Sequence, residues 1–153
     1  METNLPELDD SGLYGVRQCT CWNLRKASRA VSQMYDSHLK PSGLLVTQFS
    51  LLAVLSRTGP IAMNALAAVV VADRTTLTRN LRPLERVGMI RSAPGEDRRV
   101  RLVSITKRGA AALAKAMPLW RNAQEKMVER LGERRCGALL GELQATVMAA
   151  LAA

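Results

Sequence analysis

Asp73-Arg74-Thr75-Thr76-Leu77-Thr78-Arg79-Asn80-Leu81-Arg82-Pro83-Leu84-Glu85-Arg86-Val87-Gly88 is the stretch on which the reading of this chain turns. Leu77, Leu81, Leu84 and Val87 recur at steps of four, three and three, the period of one helix face. Asp73 has the side chain of an N-cap, and Gly88 stands where a helix stops, so the spacing predicts a helix over Arg74–Val87. Leu77, Leu81, Leu84 and Val87 then face inward. The opposite face carries Arg74, Thr75, Thr78, Arg79 and Arg82. Pro83 removes one backbone bond and predicts a mild kink.

Downstream, Met89–Ala93 and Val100–Ile105 read as strands around a turn-rich tip, Pro94-Gly95-Glu96-Asp97-Arg98-Arg99. Thr106 is placed to cap a long helix from Lys107 to about Leu131; Gly132 interrupts it before an Ala- and Leu-rich last helix. Upstream, a short helix over Met63–Val71 precedes the basic one. Before that, a helix starts after Thr47 as N-cap, with Val46 and Leu51 as a hydrophobic staple, and ends at Thr58-Gly59-Pro60. The first helix spans Val16–Leu39 and is broken by Pro41-Ser42-Gly43. Short helices, a basic helix and a hairpin make a winged helix-turn-helix. The fold class is therefore mostly α with a small β-hairpin wing and a helical region from both termini.

Charge location supports that order. The chain carries 22 Lys+Arg against 13 Asp+Glu, a net +9, and 17 of the basic residues are arginines. Arg57 to Arg108 holds eleven basic residues and four acids, hence +7 of the +9. A coding bias would spread arginine evenly; clustering on one helix face and one hairpin tip marks a nucleic-acid surface. The B-DNA major groove, about 12 Å wide, admits one helix. Arg74 and Arg79 are candidates for guanine or phosphate, and Thr75 and Thr78 for base edges or a thymine methyl. Arg98 and Arg99 at the tip suit a narrow minor groove, with Asp97 holding one of them in place.

Other classes fall away. At 153 residues and 48% hydrophobic content one domain is expected, and no repeat or low-complexity linker is visible. The acidic start lacks a signal sequence, and the longest apolar run, 65–72, is far short of a bilayer span of roughly 20 residues, so a cytoplasmic protein without membrane contact is expected. Three cysteines argue against a secreted disulfide framework. One histidine, His38, and no phosphate loop or paired acid/base motif argue against an enzyme. No cofactor is expected, and no metal is assigned.

Thr47-Gln48-Phe49-Ser50-Leu51-Leu52, Leu66-Ala67 and Asp73-Arg74-Thr75-Thr76-Leu77-Thr78-Arg79, followed by Leu84-Glu85-Arg86-Val87-Gly88-Met89-Ile90, Asp97-Arg98-Arg99 and Val103-Ser104-Ile105-Thr106-Lys107-Arg108-Gly109, resemble the MarR family of bacterial transcription regulators. The match runs over roughly residues 20 to 150. The resemblance implies a homodimer in which helices from about 14–40 and 107–153 interlock, while lobes of about 45–106 address a pseudo-palindromic DNA operator. It implies a repressor whose effector changes lobe spacing. By position, Arg74, Thr75, Thr78 and Arg79 match the family's base-reading helix, and Arg98 and Arg99 its wing arginine. The family often has glycine in the turn before that helix. Here it is Val69-Val70-Val71-Ala72, and because valine disfavours positive φ another turn geometry is expected.

Cys19, Cys21 and Cys136 fall in the helices assigned to dimerisation. They fit a thiol sensor of an oxidant or soft metalloid, or ordinary core cysteines. Residues two apart on a helix diverge by about 200°, so Cys19 and Cys21 share an ion only if the helix starts later or a second chain helps. Trp22, Trp120 and Met34 either line a pocket for a phenolic ligand or belong to the core. The competing reading of the whole chain is an architectural DNA-binding protein without an effector.

Overall fold

The computed structural model describes residues 15–97 and 99–152, and divides the chain between Met34 and Tyr35 into two compact units. In chain order the elements are α1 (Thr20–Leu39), a 3-10 turn (Lys40–Ser42), α2 (Val46–Thr58), β1 (Ile61–Ala62), α3 (Met63–Val69), α4 (Arg74–Arg86), β2 (Ile90–Pro94), β3 (Arg101–Ile105), α5 (Lys107–Leu131) and α6 (Glu133–Leu151). The fold is mostly helical with one small antiparallel sheet, as expected.

The first unit is helical at 15–18, breaks at Cys19 and resumes as α1. The expected uninterrupted helix from Val16 is corrected here. The Asn23 side-chain amide donates to the carbonyls of Arg17 (2.7 Å) and Cys19 (3.0 Å), diverting the backbone locally.

In the second unit the core gathers Leu39, Leu44, Phe49, Leu52, Leu55, Leu66, Leu77, Leu81, Leu84, Ile90, Val103 and Leu113, all buried. Burying each such leucine is worth roughly 1.5–3 kcal/mol. α2 packs on α5 and β3, and α4 packs on β2, α2 and α3. The start of α2 differs from expectation. Its N-cap is Leu45, and the Asp36 carboxylate accepts from the Val46 N–H (2.6 Å) while Gln48 Oε1 accepts from the Leu45 N–H (3.0 Å). A carboxylate ten residues upstream thus replaces Thr47 as the cap. The staple moves with it, to Leu44 and Phe49, both buried.

The sheet has the order β1-β3-β2. β2 and β3 pair from Ile90↔Ile105 to Pro94↔Arg101, one residue later at each start than the sequence suggests. β1 adds Ile61↔Val103 and Ala62↔Leu102, a pairing too short for periodicity to reveal. At the hairpin, the Gly95 N–H donates to the Val100 carbonyl (2.8 Å), and the Asp97 carboxylate accepts from the Arg99 backbone N–H (2.9 Å). Asp97 holds Arg99 by its backbone.

Two helix ends use one device. α4 closes with Gly88 at φ +70, its N–H donating to the Glu85 carbonyl while the Met89 N–H donates to the Leu84 carbonyl, both at 2.9 Å. This is the Schellman pair of bonds. α3 closes identically, Val71 N–H to Ala68 carbonyl (3.2 Å) and Ala72 N–H to Ala67 carbonyl (3.0 Å), but the left-handed residue is Val71 at φ +50. The expectation that this turn avoids positive φ is thereby overturned. The two bonds and the burial of Leu66 and Leu77 on either side fix the turn, and the valine bears the strain. Val87 also departs from its assigned inward face: it is the C-cap of α4 and 41% exposed.

A left-handed β-branched residue costs on the order of 1–3 kcal/mol, partly offset in a glycine variant by the unfolded chain's greater freedom. Val71→Gly is therefore expected to raise stability by about 1 kcal/mol, read as a higher urea midpoint at unchanged slope. A lower midpoint would show that the valine is not strained.

Candidate nucleic-acid interface

α4 starts where the Asp73 carboxylate accepts from the Thr76 N–H (2.8 Å) and from the Thr76 hydroxyl (2.6 Å). These bonds hold the Asp73 carboxyl below the usual carboxylate range, the side-chain bond foremost. The helix is continuous through Pro83. With Leu77, Leu81 and Leu84 buried, the remaining circumference is presented to solvent.

There Arg74, Thr75, Thr78, Arg79 and Arg82 line a single open concavity of about 350 Å³. The four residues other than Thr78 are exposed, and Thr78 is half-buried. The Thr78 hydroxyl donates to the Arg74 carbonyl (2.8 Å), so it offers an incoming base only an acceptor lone pair and its methyl group. Arg86, not singled out from the sequence, is exposed seven residues after Arg79 and so extends the same face. The wing adds exposed Arg99; Arg98, its expected companion, lies outside the described residues. Arg91, counted in the basic cluster from the sequence but given no role of its own there, donates from Nε to Ser104 Oγ across the hairpin (3.1 Å). Only the strand register, Arg91↔Ser104, reveals that pair.

The arrangement is a helix-sized cationic ridge beside a short hairpin. Residues 44–100 match the MarR family model. The chain is 42% identical to the M. tuberculosis transcriptional regulator MosR, solved in complex with DNA, covering 85% of this chain and 98% of that one at a TM-score of 0.72. The chain belongs to the MarR family. Its likeness to another solved structure, the transcriptional repressor CouR bound to a 23-mer DNA duplex, is 25% identity and a TM-score of 0.77 over 86% of this chain and 94% of CouR. A curated relative, the uncharacterized HTH-type transcriptional regulator YwoH of Bacillus subtilis, is 30% identical over 84 residues, and the match spans 61% of YwoH. As a MarR-family chain it has the winged-helix fold, mostly helical with β2 and β3 as its hairpin.

The cysteines are placed differently from one another. Cys19 and Cys21 are exposed in the first unit, and Cys136 is buried in the second. Because α1 begins at Thr20, Cys19 lies before the helix, and the 200° divergence expected within one helix does not apply. Tyr35 is buried as well, and its hydroxyl donates to Gln124 Oε1 (2.5 Å). Burial, and secondarily Cys136, pushes the Tyr35 hydroxyl pKa up. Among the described residues no group of three or more His, Cys, Asp or Glu is positioned to hold a metal. Trp120 stacks on Phe49 of the core, ring centroids 5.6 Å apart, whereas Trp22 is exposed and Met34 half-buried. No single helix among the described residues is long and apolar enough to cross a membrane.

Proposed function

We propose that this protein is a cytoplasmic, sequence-specific DNA-binding repressor that acts as a homodimer on a pseudo-palindromic operator and is released by an effector. The observation that carries the reading is the convergence of Arg74, Thr75, Thr78, Arg79 and Arg82 on one face of α4 in a chain 42% identical to a regulator solved with DNA. The N-terminal end of α4 enters the major groove, and Arg98 and Arg99 reach the adjacent minor groove. Support for the dimer is the apolar face of α6: Leu139, Leu140, Leu143, Val147 and Leu151 are all exposed, a continuous strip that one chain leaves uncovered.

The effector acts on the helical region. An oxidant or a trivalent metalloid reacting at Cys19 and Cys21 is favoured by their exposure and by the helix start between them. A phenolic ligand beside Trp22 is the other form of the same reading. Coupling of about 1–3 kcal/mol, usual for allosteric effectors, changes operator affinity about 5- to 150-fold. The test is DNA binding by the wild type and a Cys19→Ser, Cys21→Ser, Cys136→Ser variant, with and without peroxide or arsenite. Release of the wild type alone supports the thiol route. Equal release, or none, removes the thiols from the mechanism. Sedimentation at micromolar concentration tests the dimer, which a monomer binding the operator at full affinity would refute.

A further inference from the structure

We propose that the Thr106 hydroxyl is a positioning group for DNA binding, fixing the wing at a set attitude to α4 so that both meet one duplex together. This deepens the reading above and rests on it.

Three elements converge on this side chain. Thr106 Oγ1 donates to the Gly88 carbonyl (2.7 Å), shared with the Met89 carbonyl (3.1 Å), at the left-handed close of α4. The same oxygen accepts from the Gly109 N–H (3.1 Å), capping α5. The Thr106 backbone N–H donates to the Met89 carbonyl (3.0 Å), one step beyond the last β2–β3 pair, Ile90↔Ile105. One residue thus ties the end of α4, the root of the wing and the start of α5. Gly109 presses on the same point: a Cβ there would lie 2.0 Å from the Met89 carbonyl oxygen and 2.8 Å from Ile105 Cγ1.

An N-cap needs only an acceptor, and a serine, aspartate or asparagine serves equally well. Donation back to Gly88 is a separate act, and it reaches the residue where the chain leaves α4 for the wing. Without it the hairpin pivots about the Gly88 turn, whose glycine has no side chain to resist rotation. Arg99 then no longer arrives in register with Arg79. Pre-organisation of this kind raises affinity by removing an ordering cost at binding, without adding a contact.

The test uses the full chain and an operator duplex obtained by selection with the wild-type protein. Thr106→Val removes donor and acceptor while keeping shape; Thr106→Ser restores both. Thr106→Val is expected to weaken operator binding about tenfold, the effect of one lost hydrogen bond, and Thr106→Ser to bind within twofold of wild type. Arg99→Ala is expected to weaken the wild type and to change little further in the Thr106→Val background. It should also lower the slope of log affinity against log salt by about 1 in the wild type alone. Equal costs of Arg99→Ala in both backgrounds would overturn the proposal, leaving Thr106 as a cap only. An Arg99→Ala variant with wild-type affinity would refute the wing contact itself, and the proposal with it. Hydrogen exchange of the wild type needs no variant: the amides of Met89, Thr106 and Gly109 should open together, and independent opening would refute the tie.

Discussion

Replacing Gly109 by alanine is expected to lower folding stability by about 3 kcal/mol, at the upper end of the overpacking range. The added methyl would stand 2.0 Å from the Met89 carbonyl oxygen, backbone that cannot rotate aside as a side chain would. That carbonyl is already bonded to the Thr106 N–H, so relief requires moving the first turn of α5 away from the sheet. For a chain of this length such a loss lowers the melting temperature by roughly 10 °C. Urea unfolding checks it. A change below about 0.5 kcal/mol would mean that α5 docks elsewhere. The sign is opposite to that for Val71→Gly, because Gly109 is required by space and the residue at 71 by backbone angle.

The second large effect falls on binding. Arg79→Ala is expected to cost about 1–3 kcal/mol of operator affinity and to relax base choice at one position of each half-site, as removal of a bidentate guanine contact does. Arg79 is exposed on the solvent side of α4, between Thr75 and Arg82 on the concavity, and takes no part in the buried core. Stability should therefore be unchanged. Arg98→Ala with Arg99→Ala is expected to act differently, weakening binding on most sequences alike and flattening the salt dependence. Anisotropy titrations at several fixed salt concentrations separate the two patterns. Full affinity in both variants would remove the roles assigned to helix and wing.

Helix ends were legible where a local capping side chain or a glycine closes them. Asp73 with Thr76, Gly88, and Thr106 with Gly109 act within three residues of the end they close, and the pattern of leucines on α4 follows from one period. Reading failed where the partner is distant. Asp36 caps α2 from ten residues away, which moved the helix start from Thr47 to Leu45, and β1 is a two-residue strand defined only by its pairing with β3. Val71 shows a third kind of failure. Its own steric preference is sound, but two backbone bonds and the packing of α3 and α4 outweigh it. Gly109 was visible as part of a motif; its reason, the Met89 carbonyl, belongs to a loop twenty residues earlier. At the interface the cationic face of α4 could be read from spacing, whereas Arg91 needed the strand register.

The most direct test of the central claim is selection of duplexes from a random-sequence pool by the purified wild-type protein and by Arg79→Ala. The wild type is expected to enrich an inverted repeat whose half-sites are centred about one helical turn apart. The Arg79→Ala pool should lose preference at one base pair in each half-site. A wild-type pool with no enriched sequence, or one indistinguishable from the Arg79→Ala pool, would contradict it and leave a basic protein that coats DNA without reading it.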